Sequence, residues 1–175
     1  YEASTFFFRN TAAPGATSPA YAAAVTNPFG ITELASYSSP AFADADNDGD
    51  LDLFLVDGIG NTHFFRNTAA PGATSPSYAP AVSNPFGITN ARLNARPAIA
   101  DADNDGDFDL FISNGLGDTL FFRNTAAPGA TSPAFATAAT NPFGIENVGR
   151  YASPAFADAD NDDDLDLFIS NYDGN

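Results

Sequence analysis

A period of 57 residues runs through this chain and limits what it can fold into. The acidic stretch DADNDGDLDLF begins at Asp44. It returns as DADNDGDFDLF at Asp101 and as DADNDDDLDLF at Asp158, an offset of 57 residues each time. FFRNTAAPGATSP keeps the same period from Phe7, Phe64 and Phe121, and NPFGI keeps it from Asn27, Asn84 and Asn141. Self-similarity at a fixed spacing marks a repeat architecture, in which units bury their apolar faces on their neighbours. The chain reads as one repeat domain, 1–175, with repeats at approximately 1–57, 58–114 and 115–171. Residues 172–175 overlap the start of the next unit: Tyr1 to Ser4 align with Tyr172 to Asn175.

Within one repeat the local signals are those of strands. LDLFLV (Leu51 to Val56) is short, apolar and β-favouring, and Asp57-Gly58 ends it in a turn, so it reads as a buried strand. SPAFAD (Ser39 to Asp44) precedes the acidic stretch as a second extended run. THFFRN (Thr62 to Asn67) follows as a third, with a turn at Pro71-Gly72. SYAPAV (Ser77 to Val82) supplies a weaker fourth strand, which Pro80 confines to a sheet edge. No stretch sustains a helical period. Four short strands per repeat predict an all-β chain, a β-propeller with one four-stranded antiparallel blade per repeat.

Charge is concentrated rather than spread. Sixteen of the 22 acidic residues lie in the three repeated stretches, and the other six balance the six arginines; the net charge is −16 and there is no lysine. Nucleic acid and anionic membrane are poor partners for such a surface, whereas cations are good ones. With 44% hydrophobic and 13% aromatic residues the chain can bury a core. It has no cysteine, so no disulfide or thiol chemistry. No apolar run approaches the ~18 residues of a membrane span, and no signal peptide is read in this sequence, which begins mid-repeat and so can have lost one.

The acidic stretch follows D-x-D-x-D-G-x-x-D. It shares its first six positions with the EF-hand loop, but the bidentate glutamate that closes that loop is replaced by Leu55, Ile112 and Ile169, and the flanks are strands. The spacing of two turns alternate carboxylates inward around one ion. Side-chain oxygens would come from Asp44, Asp46, Asp48 and Asp52, with the backbone carbonyl of Asp50. The second loop offers Asp101, Asp103, Asp105, Asp109 and the carbonyl of Asp107; the third offers Asp158, Asp160, Asp162, Asp166 and that of Asp164. Oxygen donors in this number suit Ca²⁺, one per repeat and three per chain, and suit Mg²⁺ less, because a loop cannot easily enforce an octahedron. The alternative is a solvated acidic hairpin without an ion, which close like charges would loosen. In the third loop Asp163 replaces the glycine found at 49 and 106, which predicts the weakest of the three sites.

The unit NPFG…SPAFADADNDGDLDLF…FFRNT resembles the FG-GAP repeat of integrin-α-type propellers, and more closely the bacterial repeats of the VCBS class. The resemblance covers the whole chain. It implies a calcium site in the loop between the first two strands of each blade. It also implies an extracellular or cell-surface protein acting in adhesion, ligand binding or sugar recognition.

An enzyme is not expected. His63 is the only histidine and aligns with Phe6 and Leu120, which marks a packed or surface side chain. Arg9, Arg66 and Arg123 of FFRN read as structural strand-end residues, and Phe29-Gly30, Phe86-Gly87 and Phe143-Gly144 as blade-to-blade packing. The expected function is therefore a structural or adhesion-type interaction module with a protein or glycan ligand; the alternative is a calcium-stabilised lectin binding carbohydrate between blades. Against identical sugar sites in every repeat, Tyr37 and Tyr151 align with Asn94. Three blades do not close a ring. Two chains would close one of six blades, within the range of roughly four to eight. A homodimer is thus expected, each inter-chain blade built from two strands of one chain and two of the other.

Overall fold

The computed structural model describes residues 2–35, 37–70, 73–127 and 129–174. The turn expected at Pro71-Gly72 lies outside the described residues, as do Tyr1, Ser36, Pro128 and Asn175. The described chain is all-β. Four short strands come first: β1 (Glu2–Ala3), β2 (Phe6–Phe7), β3 (Val25–Thr26) and β4 (Leu34–Ala35). Then come β5 (Ser39–Ala43), β6 (Asp52–Val56), β7 (Thr62–Phe65) and β8 (Val82–Ser83), which form a four-stranded antiparallel sheet in sequence order. A second such sheet follows from β9 (Arg96–Ala100), β10 (Asp109–Ser113), β11 (Thr119–Phe122) and β12 (Ala139–Thr140). β13 (Ser153–Ala157) pairs with β14 (Asp166–Ser170), β2 with β3, and β1 with β4, each as a two-stranded sheet.

The two complete sheets pack face to face. Phe54, Val56 and Phe64 of the first meet Leu110, Ile112 and Phe122 of the second. Leu53, Leu55 and Phe65, on the opposite face of the first sheet, pack on Ile31 and Leu34 of the preceding segment. Because successive strand residues point to opposite faces, a strand between two packed layers must be apolar on both. That is why Leu53 to Val56 form a continuous apolar run and why every residue of β6 is buried. The expected fourth strand is displaced. Tyr78 makes only an isolated bridge to Asn67 and pairing resumes at β8. Tyr21 and Phe135 bridge Asn10 and Asn124 in the same way with Ala23 and Thr137 in place of Pro80, so the interruption belongs to the repeat and not to the proline.

The repeated motifs are local locks. The Asn27 side chain accepts the Thr5 N–H at 2.8 Å, and Asn84 and Asn141 do the same for Thr62 and Thr119 at 2.9 and 2.7 Å. The Phe-Gly pair joins repeats, though not by its ring. Phe29, Phe86 and Phe143 pack edge-on against Phe7, Phe64 and Phe121 of their own repeats at 4.9–5.0 Å. The carbonyls of Phe29 and Phe86 accept the Tyr78 and Phe135 N–H of the next repeat at 2.8 and 2.9 Å.

Candidate metal centre

Each acidic stretch is the hairpin loop between the first two strands of its sheet. Asp44 organises it: Oδ1 accepts the Asp48 N–H at 3.1 Å and Oδ2 the Gly49 N–H at 2.9 Å. Asp48 Oδ1 in turn accepts the Asp50 N–H at 3.0 Å. Asp101 and Asp158 repeat the first pair of bonds on Asp105 and Gly106, and on Asp162 and Asp163. The loop needs left-handed backbone, with φ 57° at Asn47 and 92° at Gly49. Asp163 is forced to φ 70°, and its N–H bond to Asp158 stretches to 3.3 Å.

This winding brings three carboxylates together in every loop: Asp44, Asp46 and Asp48; Asp101, Asp103 and Asp105; Asp158, Asp160 and Asp162. Within each trio the ligand atoms lie within 4.8 Å of one another. Three like charges so close repel by a few kcal/mol per pair at the effective dielectric of a protein surface. Asp46 is the most exacting member. It is 4% exposed, and neither of its buried carboxylate oxygens accepts a hydrogen bond. A buried anion without hydrogen bonds is costly. Arg66 supplies the opposite charge, forming an ion pair with its Oδ2. Arg123 likewise reaches Asp103 and, at 3.4 Å, Asp105. Arg9 instead donates to Ser75 Oγ at 3.0 Å. Sequence reading missed the role of Arg66 and Arg123 as internal counter-charges; the signal was an FFRN arginine at the end of the strand beside each of the first two acidic loops. The all-oxygen donor set and the orphaned Asp46 oxygens fit a hard cation such as Ca²⁺.

The remaining predicted ligands lie outside the trios. Asp52 Oδ1 accepts the Asn67 N–H at 2.6 Å and Oδ2 the Ala45 N–H at 3.2 Å, tying the loop to β7. Asp109 makes the same bonds to Asn124 and Ala102. Burial pushes both carboxyls up to about 6, against these backbone N–H groups; the charges of Asp46 and Asp48 raise Asp52 further, as Asp103 and Asp105 raise Asp109. Asp166 accepts the Ala159 N–H at 3.1 Å. Asp50, Asp107 and Asp164 contribute backbone N–H groups to their loops, and the Asp164 carboxylate accepts Asn104 Nδ2 of the neighbouring loop at 3.3 Å. Burial falls along the chain: Asp46 is buried, Asp101 is half-buried with Asp103 and Asp105 exposed, and the third trio is wholly exposed.

His63 has two partners that sequence did not name, Asp57 Oδ2 at 2.9 Å and Ser83 Oγ at 3.0 Å. A serine, a histidine and an aspartate in a row suggest a nucleophile, but Asp57 is occupied elsewhere. It accepts the Ile59 and Asn61 N–H groups, and Asn114 closes the equivalent turn in the same way without a histidine. Burial raises the Asp57 carboxyl, yet the His63 bond and those N–H groups outweigh it and hold it below its ordinary value. Asp57 and these N–H groups lock the turn after β6.

No curated protein matches this sequence. Residues 44–112, from the first acidic loop through the second and into β10, match the family model of the FG-GAP-like repeat. They span the hairpin loop, the Arg66 that reaches it and the Phe-Gly junction described above, and this segment is similar to the FG-GAP-like repeat.

Proposed function

We propose that the protein is a non-enzymatic, calcium-binding β-propeller that serves as a structural or adhesion-type interaction module outside the cell or on its surface. The observation that carries this reading is the carboxylate trio, wound the same way in all three repeats and holding, in the first, a buried aspartate whose oxygens accept no hydrogen bond. A cation in the loop supplies the charge that the trio lacks. The protein's own part is to hold it: Asp44, Asp101 and Asp158 wind the loops, Asp46 and Asp48 and their equivalents face the ion, and Asp52, Asp109 and Asp166 fasten the loops to their sheets. A non-enzymatic role is supported by the commitment of His63 to a turn and by the absence of lysine and cysteine. The extracellular placement is supported by the family match, and no helix among the described residues is long and apolar enough to cross a membrane.

A ring is supported by the unpaired edges. Among the described residues β2 pairs only with β3 and β14 only with β13, whereas the equivalent β7 and β6 pair with each other. Phe6 is 59% exposed and Phe168 53%. In the proposed homodimer, β14 of one chain pairs with β2 of the other at two junctions, closing six blades.

The test is metal removal. Binding only to the folded state stabilises it by mass action. Chelation is expected to lower the melting temperature by at least several degrees, calcium to restore it, and native mass spectrometry to count three ions per chain. An unchanged melting temperature would refute the metal reading.

A further inference from the structure

Three positions that differ between repeats meet in space. Tyr37, Asn94 and Tyr151 are equivalents at the 57-residue period, each two residues before the first strand of its sheet. Because β9 packs beside both β5 and β13, the three converge, and with Ala95 and Arg96 they line one cavity of about 320 Å³. All three hold left-handed backbone, with φ 64°, 55° and 58°. That conformation is unfavourable for a tyrosine, and strained backbone of this kind concentrates where a side chain must be presented to a ligand.

The side chains are presented with their polar groups unused. Tyr37 is 80% and Tyr151 45% exposed. Their hydroxyls, the Asn94 amide and the Arg96 guanidinium have no hydrogen-bond or ion-pair partner among the described residues. Tyr151 is steadied instead by its ring, edge-on to Tyr172 at 5.6 Å. Arg96 is peculiar to the middle repeat, since Ser39 and Ser153 stand at its equivalents. An unpaired cation in a chain of net charge −16 marks a place for an anionic group.

We propose that this cavity binds a single acidic sugar residue of the uronate class. A pyranose ring offers an apolar C–H face to the tyrosines and hydroxyls to their O–H groups and to the Asn94 amide. Its carboxylate matches the fork of Arg96. The volume lies near the lower end for small-ligand pockets, about 300 Å³, which suits one ring. The proposal gives the interaction-module reading a ligand class. It uses no proposed metal ligand, so it stands or falls separately from the calcium reading.

The test is titration of calcium-loaded protein with the methyl glycosides of glucuronate and galacturonate, with the matching neutral glycosides, and with acetate. Calorimetry and tyrosine emission report binding; the chain has no tryptophan to mask its six tyrosines. At least one uronide is expected to saturate the protein, binding about tenfold or more tighter than its neutral counterpart and than acetate. Arg96→Ser, the residue of the other repeats, should erase that preference and Arg96→Lys should keep part of it. Tyr37→Ala should weaken uronide and neutral glycoside alike. All three variants should melt with the parent, since both side chains are exposed. Absence of saturation by either uronide overturns the proposal. So does equal binding of the neutral glycoside, acetate binding as tightly as the uronide, or indifference to Arg96→Ser.

Discussion

At the scale of single residues, two acidic positions carry opposite consequences. Asp163 occupies the left-handed turn that Gly49 and Gly106 occupy at φ 92° and 93°. A side chain there is strained by about 1 kcal/mol or more, and the stretched bond to Asp158 shows the loop giving way. Asp163→Gly is expected to tighten calcium binding at the third loop several-fold in calorimetric titration, even though it removes a negative charge; equal or weaker binding would count against strain as the limiting factor. Asp52 and Asp109 set the pH response. Their folded-state carboxyls titrate at about 6, above the ordinary 3.8, so the folded chain holds these protons more tightly than the unfolded one. Their contribution to stability is full below about 3.8 and is lost as pH rises through about 6. Metal-free protein is therefore expected to melt higher near pH 5 than near pH 7, and Asp52→Asn with Asp109→Asn to flatten the difference. A melting temperature that falls between pH 7 and pH 5 in the parent protein would contradict this. The acidic spacing was plain in the sequence. The orphaned Asp46 and its ion pair with Arg66 were not, because burial and approach across a sheet have no local signature.

At the scale of elements, the turns and strands test how much each glycine carries. Gly49 and Gly60 have nearly the same backbone, φ 92° and 90°. A Cβ on Gly49 would meet nothing within 4 Å, whereas one on Gly60 would lie 2.1 Å from the Arg92 carbonyl oxygen. Gly49→Ala should therefore cost about 1 kcal/mol, the conformational term alone. Gly60→Ala should cost at least twice that, since backbone must move, and denaturant unfolding of the pair in calcium would compare them. Equal losses would mean that the segment around Arg92 yields freely. Strand positions were largely legible beforehand: SPAFA, the apolar core of LDLFLV, and THFF fall where period and turn residues put them. The fourth strand was misplaced. Proline at 80 was read as an edge signal, and β8 does lie at the edge of its sheet. But the ladder breaks in all three repeats with or without a proline and reforms here only at Val82, where pairing with β7 decides the register.

At the scale of the whole molecule, assembly is the open prediction. Light scattering or native mass spectrometry in calcium should find a species of twice the 18.2 kDa chain. A monomer or a polydisperse sample would refute the two-chain ring. Phe168→Asp should shift the dimer toward monomer, because it puts a charge into the expected junction. The reason to expect such a surface lies in two identical segments. DLFIS forms both β10 and β14, and in β10 every residue is buried while in β14 none is. Period, strand type, the hairpin loops and their carboxylate spacing are properties of residues near one another in the chain, so the sequence by itself determined them. Burial depends on what stands across each face, and an identical pentapeptide cannot encode two environments. Tertiary structure alone decided that β10 lies between layers and β14 on an open one, that Arg66 meets Asp46, and that Tyr37, Asn94 and Tyr151, 57 residues apart, share one cavity.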